Sequence, residues 1–259
     1  MKLYLSFFKI RFKAGLQYRA AALSGMITQF AWGFMLIVML GVFNGSTMTP
    51  TDLSTYVWLN QALLALTAIW AMDSSVFETI ENGDVAYEAV KPVNLYTLWF
   101  VRNVAHRLSR CALRFAPVLL IAVWLPEPFT LRLPSTPTHF LGFLLSLALT
   151  VTIEVAITMW MYVFVMHTKS SLGIRTFFVA LFEMFSGSSI PYAFFPIAFQ
   201  NILKLTFFYG LQTATFNLYL GLVNPLSTLS IQFFWACVLI GTGYVAMQHK
   251  LKSFEIVGG

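Results

Sequence analysis

Charged residues are scarce in this chain, and that scarcity decides its class. Only 10% of the 259 residues are Asp, Glu, Lys or Arg, while 58% are hydrophobic and the mean hydropathy is +0.75. Soluble domains carry about a quarter charged residues, so the composition excludes an ordinary soluble protein. The formal net charge of +6 is accordingly interpreted as local contact with lipid headgroups and not as a nucleic-acid-binding surface.

Motifs for nucleotides and metals are also missing. The chain contains no Gly-x-x-x-x-Gly-Lys-Ser/Thr loop that could cradle nucleotide phosphates. Its four histidines fall at predicted membrane edges without the His-x-x-x-His spacing of zinc enzymes: His106, His139, His167 and His249. The Gly-Ser-Ser triplet that begins at Gly187 is interpreted as a helix-ending turn, not as a catalytic serine. We therefore expect neither an enzyme nor a bound cofactor or metal in this chain.

Cysteine is nearly absent as well. Cys111 and Cys237 both lie in apolar stretches, and neither has a Cys or His partner at a ligand-like spacing. We interpret both as small buried apolar residues and expect no disulfide.

Lysine and arginine are distributed with a strong bias. Of sixteen in total, only Arg132 and Lys204 cannot be placed on one side of a membrane. The others flank the apolar runs: Lys2, Lys9, Arg11, Lys13, Arg19, Lys91, Arg102, Arg107, Arg110, Arg114, Lys169, Arg175, Lys250 and Lys252. Because basic residues beside apolar spans are retained in the cytoplasm, both termini are predicted to lie inside and the number of crossings to be even. The predicted location is the bacterial inner membrane.

The chain length then sets the architecture. At about 20 residues per span, six helices use the whole chain and leave no room for a soluble domain. The predicted spans cover residues 20–43, 53–72, 104–125, 140–166, 176–190 and 226–247. The predicted fold class is an all-α membrane protein, with one six-helix transmembrane domain over residues 20–259.

Residues 1–19 are predicted to form a cytoplasmic amphipathic helix that lies on the membrane, since their basic region is too long for a cleaved signal peptide. Side chains alternate there at steps of three or four, with polar Lys2, Ser6, Lys9, Lys13 and Gln17 and apolar Leu5, Phe8, Phe12 and Leu16.

The ends of the spans carry their own signals. Asn44-Gly45-Ser46 predicts an outside turn, four prolines in 126–137 predict an outside loop, and 167–175 is a short inside loop. The third span is predicted to begin near Val104. Its arginines are expected to reach the headgroups: Arg102, Arg107, Arg110 and Arg114.

The stretch before the last span is apolar but repeatedly interrupted. Gly187, Pro191 and Pro196 break its start. Residues 191–225 are therefore predicted to form a re-entrant hairpin that dips into the outer leaflet and packs against protein. The alternative is two further full spans, which would draw Lys204 towards the cytoplasm.

Two acids lie inside predicted spans, Glu154 and Glu183. A carboxylate at a helix centre costs about 2.5–3.5 kcal/mol on insertion scales, so neither should face lipid. They either line a transport pathway or proton relay, or they form ion pairs and hydrogen bonds with the arginine-rich end of the third span and with Ser and Thr on neighbouring helices.

The inside segment 73–92 is acidic and breaks the basic trend. Val85, Ala89 and Val90 interleave with its acids, which is typical of a short amphipathic helix that docks onto a cytoplasmic protein rather than of a solvated charge run. The candidate contact residues are Glu78, Glu81, Gly83, Asp84, Tyr87 and Glu88, with Lys169 and Arg175 as a second cytoplasmic contact loop.

Three stretches resemble ABC-2-type permeases, and in particular a bacterial branch in which two different permeases accompany one ATPase. They are IENGDVAYEAVKPVNLYTLWFVRNVAHRL (80–108), SGSSIPYAFFPIAF (186–199) and LKSFEIVGG (251–259). The likeness covers essentially the full chain. Lys91 stands where that branch would carry Arg, which keeps the charge.

The resemblance implies the six-helix half of an exporter, whose coupling helix between spans two and three sits in a groove of a separate ATPase dimer. That ATPase would bind ATP and Mg²⁺. The resemblance also implies a second permease subunit, for which we favour a diverged paralogue over an identical copy, and membrane lipids around both. The cargo would be hydrophobic or amphipathic, such as a drug, peptide or lipid.

Other functions remain open at this point. A secondary transporter could use Glu154 and Glu183 as proton carriers. A membrane-embedded enzyme is disfavoured by the histidine positions. An assembly or sensor subunit that transports nothing is a further possibility.

Overall fold

The computed structural model describes residues 2–17, 19–43 and 48–252, and within those ranges every regular element is a helix. The predicted turn at 44–46 and the end of the C-terminal motif, 253–259, lie outside the described residues.

Twelve α-helices follow one another along the described chain. They are α1 Lys2–Gly15, α2 Arg19–Phe43, α3 Pro50–Thr67, α4 Ser74–Glu81, α5 Val85–Ala89, α6 Leu95–Ala112, α7 Phe115–Trp124, α8 Pro137–Thr168, α9 Ser171–Phe185, α10 Ile197–Lys204, α11 Gln212–Leu220 and α12 Pro225–Lys252. A single 3-10 turn, Tyr192–Phe194, precedes α10.

Three of the described helices are long and apolar enough to cross a membrane: α2 from Ala22 onward, α8 and α12. Large apolar side chains on α2 and α12 are exposed, as lipid-facing residues would be, among them Ile27, Val42, Phe233 and Val245. The chain therefore has the character of an all-α membrane protein.

Local sequence explains where several helices begin. The hydroxyl of Thr49 accepts a hydrogen bond from the Asp52 N–H, and Pro50 follows it at the first helical position of α3. Asn94 caps α6 in the same way through the Thr97 N–H. Pro137 likewise begins α8, because the N–H that proline lacks would have no helical partner at that position.

Helices α3 and α8 form the centre of the molecule. Nearly every side chain of α3 is buried, including Trp58 and the polar Asn60 and Gln61. Helix α8 packs against α12, α11, α6, α4 and α9. At 32 residues it is about 48 Å long, more than the roughly 30 Å of a bilayer core.

The third predicted span differs most from expectation. Its helix begins at Leu95 rather than near Val104, and it breaks at Leu113–Arg114 into α6 and α7. Arg102 and Arg107 are buried and bond within the protein, so the expectation that they reach the headgroups was wrong. The sequence could not reveal this because their partners lie on other helices.

Smaller differences concern boundaries and one cysteine. Helix α9 begins at Ser171 and ends at Phe185, five residues earlier at each end than the predicted span 176–190, so the predicted inside loop shrinks to Lys169 and Ser170. Cys111 is buried as predicted, whereas Cys237 is exposed on α12. An apolar run marks a helix of a membrane protein but not which of its faces meets lipid.

The interrupted region 191–225 contains two short helices, α10 with 8 residues and α11 with 9. Each is about 12–14 Å long, well short of a bilayer core. They therefore do not form two further full spans. Helix α11 runs along α3 in the opposite direction. At its start, Gln212 Nε2 donates to Thr67 O at the end of α3, at 2.6 Å. At its end, Leu220 O accepts at 3.4 Å from Arg132, which lies 3.2 Å from Asp52 near the start of α3.

Candidate functional site

Helices α4 and α5 form an amphipathic pair beyond the C-terminal end of α3. Val76, Phe77, Ile80 and Val85 are buried beneath them. The opposite face exposes Glu78, Glu81, Asp84, Tyr87 and Val90, with Tyr87 at 78% of its full accessibility. Gly83 joins the two helices with a φ of +79°, a conformation that glycine adopts without strain.

The α4–α5 helices are connected to α6 through a buried ion pair. Arg102 Nε lies 2.7 Å from Asp73 Oδ2, and the guanidinium also donates to the Ser75 hydroxyl. Asp73 is the N-cap of α4, since its Oδ1 accepts from the Ser75 N–H at 3.1 Å. Glu88 of α5 accepts from Trp99 Nε1 of α6 at 2.6 Å. Both ends of the α4–α5 pair are thus held by the same helix.

Asp73 is charged in this setting. Burial opposes its ionisation, but the positive charge of Arg102 and the hydrogen bonds from Ser75 and Arg102 outweigh that effect and lower its pKa. A carboxylate whose pKa is lowered by folding stabilises the fold fully at any pH above its ordinary, unfolded-state pKa. That stabilisation is lost only as the pH falls through the folded-state pKa. The Asp73–Arg102 ion pair is therefore intact at neutral pH.

Helix α8 provides a second anchor. The Phe77 ring meets the Tyr162 ring edge-on at 4.7 Å between centroids. The Tyr162 hydroxyl donates to Asp73 O at 3.2 Å and accepts from Asn103 Nδ2 at 3.0 Å. A displacement of α4 would consequently act on α6 and α8 together.

The two predicted cytoplasmic contact elements lie side by side. Glu81 accepts from the Ser171 N–H, the first residue of α9, at 2.5 Å. The Arg175 guanidinium lies over the Phe77 ring at 5.2 Å. Lys169, the C-cap of α8, is exposed next to them. Glu81 and Glu88 therefore have partners within the chain, while Glu78, Asp84 and Tyr87 project outward.

Glu154 is paired in the interior. Its Oε2 lies 3.6 Å from Arg107 NH2, and both side chains are at most 1% exposed. Arg107 NH1 also donates to Leu66 O at 3.1 Å and Ala68 O at 2.7 Å, which satisfies carbonyls at the end of α3. The expected ion pair to the arginine-rich end of the third span is present. Neither carboxyl oxygen has a hydrogen bond among the described residues.

Glu183 closes the break after α9. Its Oε2 accepts from the hydroxyls of Ser188 and Ser189, each at 2.9 Å. Gly187, with a φ of +85°, forms the turn between Glu183 and these two serines. Its carbonyl accepts from the Tyr56 hydroxyl at 2.8 Å, so the break is bonded to α3.

Beyond the break, a polar seam holds α11 against α8 and α12. Gln232 Nε2 donates to Gly210 O at 2.8 Å, and Thr150 Oγ1 lies 2.7 Å from Thr215 Oγ1. The Ser146 hydroxyl also lies within hydrogen-bonding distance of Thr215 Oγ1, at 2.8 Å. Pro191 is buried at the start of this segment, and Pro196 precedes α10. These residues were not predicted from the sequence, although Gln212 and Gln232 stand out as amides in a nearly uncharged stretch.

Within the described ranges, no group of three or more His, Cys, Asp and Glu side chains is placed to hold a metal ion. No family model, curated protein or solved structure matches this chain. The similarity to ABC-2-type permeases accordingly remains a resemblance carried by sequence motifs.

Proposed function

We propose that this chain is the transmembrane permease subunit of an ATP-driven exporter of the ABC-2 type. One observation carries the proposal: α4–α5 presents an acidic and aromatic outer face, while its buried face and the adjoining Asp73 are anchored to α6, α8 and α9. A surface built in this way suits the transmission of force from a cytoplasmic partner. The ATPase, which would hold ATP and Mg²⁺, is a separate subunit.

In this proposal six helical passages cross the bacterial inner membrane. They are α2, α3, α6 with α7, α8, α9 and α12, and α10–α11 is the re-entrant outer hairpin. Helices α3 and α9 carry polar side chains that face protein, such as Asn60, which donates to Ser188 O at 2.5 Å. Such helices can lie within the bilayer because their polar groups are bonded to one another.

The mechanism follows from the anchors. Closure of the ATPase dimer would press on Glu78, Asp84 and Tyr87. The Asp73–Arg102 ion pair would pass that displacement to α6, and Phe77 would pass it to Tyr162 on α8. The spans would then tilt as rigid bodies between inward- and outward-open arrangements, moving a hydrophobic or amphipathic cargo outward.

A complete pathway needs a facing wall. Exposed apolar side chains cover the outer half, among them Ile197, Ile202 and Leu205 around α10. Patches of this kind mark lipid or protein contacts. We propose a second permease subunit there, a diverged paralogue rather than a copy, and two ATPase subunits on the inside.

The alternative is a proton-coupled secondary transporter. The observation in its favour is that both Glu154 carboxyl oxygens lack hydrogen bonds among the described residues. Arg107 beside them favours a structural role instead. Transport that continues without any ATPase would favour this alternative.

The direct test is charge reversal on the outer face. The variant Glu78→Lys/Asp84→Lys should weaken association with the ATPase by about tenfold or uncouple hydrolysis from transport, since rim charges control association. Both residues are exposed, so membrane insertion should be unchanged. The matched control is Glu127→Lys in the exposed loop between α7 and α8. Full coupling in the double variant would refute the proposal.

A further inference from the structure

A cavity of about 480 Å³ opens between α1, the start of α2 and the second half of α6. This volume lies in the range of about 300–1,000 Å³ typical of small-molecule sites. One wall is apolar, formed by Trp70, Leu113 and Ala22, and the other is basic. The cavity lies on the side of α4–α5, because Asp73 and Ser75 also line it.

Positive charge dominates the basic wall. Four arginines line it, Arg11, Arg102, Arg110 and Arg114. Asp73 is the one carboxylate among the described lining residues, and it is already paired with Arg102 at 2.7 Å. Burial and the neighbouring charge of Arg102 lower the pKa of Arg11.

Two close approaches shape the site. A Cβ at Gly25 would lie 2.6 Å from Cζ of Arg114, so the guanidinium packs directly on the backbone of α2. A Cβ at Gly15 would lie 2.1 Å from the Ser109 hydroxyl, so α1 can approach α6 only with glycine there. His106 lines the same cavity, and its buried Nε2 has no hydrogen-bond partner among the described residues. The lining therefore combines guanidinium groups with an imidazole ring around one space.

We infer that this cavity binds a phosphate-containing ligand whose polar group has a net negative charge. Guanidinium groups match phosphate geometry with paired N–H donors, and several of them around one space recognise phosphate better than a single ammonium would. The apolar wall beside the arginines suits the glycerol and first acyl carbons of an anionic phospholipid. A phosphorylated soluble compound would present the same group.

The test uses the full chain in a neutral detergent and two lipids with brominated acyl chains, phosphatidylglycerol and phosphatidylcholine. Bromine quenches tryptophan fluorescence, and Trp70 lines the cavity while being 45% exposed. The part of the quenching that disappears in Trp70→Phe reports on this site. We expect phosphatidylglycerol to bind about tenfold more tightly than phosphatidylcholine, whose ammonium compensates the phosphate charge.

The decisive variant is Arg11→Gln/Arg110→Gln, which should weaken phosphatidylglycerol binding by about tenfold or more, since charged hydrogen bonds are lost. The matched control is Lys9→Gln/Lys13→Gln, which removes equal charge from exposed positions on the other face of α1 and should change binding less than about twofold. Ala14→Leu fills the cavity from an exposed position without changing charge, and it should also abolish the site-specific quenching.

Inorganic phosphate distinguishes the two sources. Displacement of the lipid by millimolar phosphate identifies a site for free phosphate groups, and resistance to it identifies a lipid-headgroup site; each supports the inference. Equal binding of the two lipids, equal losses in the two double variants, or full binding by Ala14→Leu would overturn it.

Discussion

At the scale of single residues, the most consequential contact is the buried pair of Arg107 and Glu154. An unpaired charge at either of these buried positions would be costly. Arg107 serves two purposes, since it neutralises Glu154 and also donates to the carbonyls of Leu66 and Ala68 where α3 ends. A residue that joins α3, α6 and α8 in this way is a structural centre.

The variant Arg107→Met tests this role. It leaves Glu154 buried without its counter-charge, and we expect a loss of about 3–5 kcal/mol in the free energy of unfolding. Replacing both residues, Arg107→Met/Glu154→Met, removes the two charges together and should restore part of that loss. Thermal unfolding of the purified protein in detergent measures both. A double variant that is no more stable than the single one would contradict this account.

At the scale of elements, the break between α9 and α10 is held in a conformation that only glycine adopts easily. Gly187 has a φ of +85°, and a Cβ there would lie 2.0 Å from Thr213 Oγ1. The break is where the carbonyls of Gly187 and Ser188 accept hydrogen bonds from α3, so its geometry positions the segment that leads to α10 and α11.

In Gly187→Ala, backbone strain alone should lower the free energy of unfolding by about 1–3 kcal/mol, and the steric clash should lower it further. Gly173→Ala is the control. It lies on α9 with open space around its Cβ position, so alanine should be neutral or slightly stabilising there. Equal melting temperatures for the two variants would show that the break is not built as described.

Much of this element order could be predicted. Apolar runs bounded by prolines and capping residues located α2, α8 and α12 to within about five residues. The interleaved apolar side chains of 73–92 predicted one short amphipathic helix, where the structure has two, α4 and α5. Glycines and prolines predicted that 191–225 would not be regular. These are local signals, and a single sequence carries them.

The site was less predictable because its contacts are distant in sequence. Asp73 and Arg102 are 29 residues apart, and Gln212 meets Thr67 across 145. Glu81 was expected to face a partner, yet it caps α9. Charge and periodicity show that such side chains need partners within the protein, but only the packing of helices identifies them.

At the scale of the whole molecule, orientation in the membrane is the first prediction. Single cysteines in a background with Cys111 and Cys237 replaced by alanine should label with impermeant thiol reagents in whole cells at Ser135 and Asn201, and not at Asn82 or Thr168. All four positions are exposed, so accessibility depends on the side of the membrane. Labelling at Asn82 from outside would reverse the topology and remove the coupling surface from the cytoplasm.

The central claim is that α4–α5 contacts an ATPase, and a photo-crosslinking amino acid at Tyr87 tests it most directly. Tyr87 is 78% exposed on the outer face of α5. Trp124, 87% exposed at the other end of the bundle, is the control position. Irradiation of cells should crosslink position 87, and not position 124, to a protein that carries a Gly-x-x-x-x-Gly-Lys-Ser/Thr loop. If no such ATPase is crosslinked from position 87, or if position 124 captures it equally, the account is contradicted.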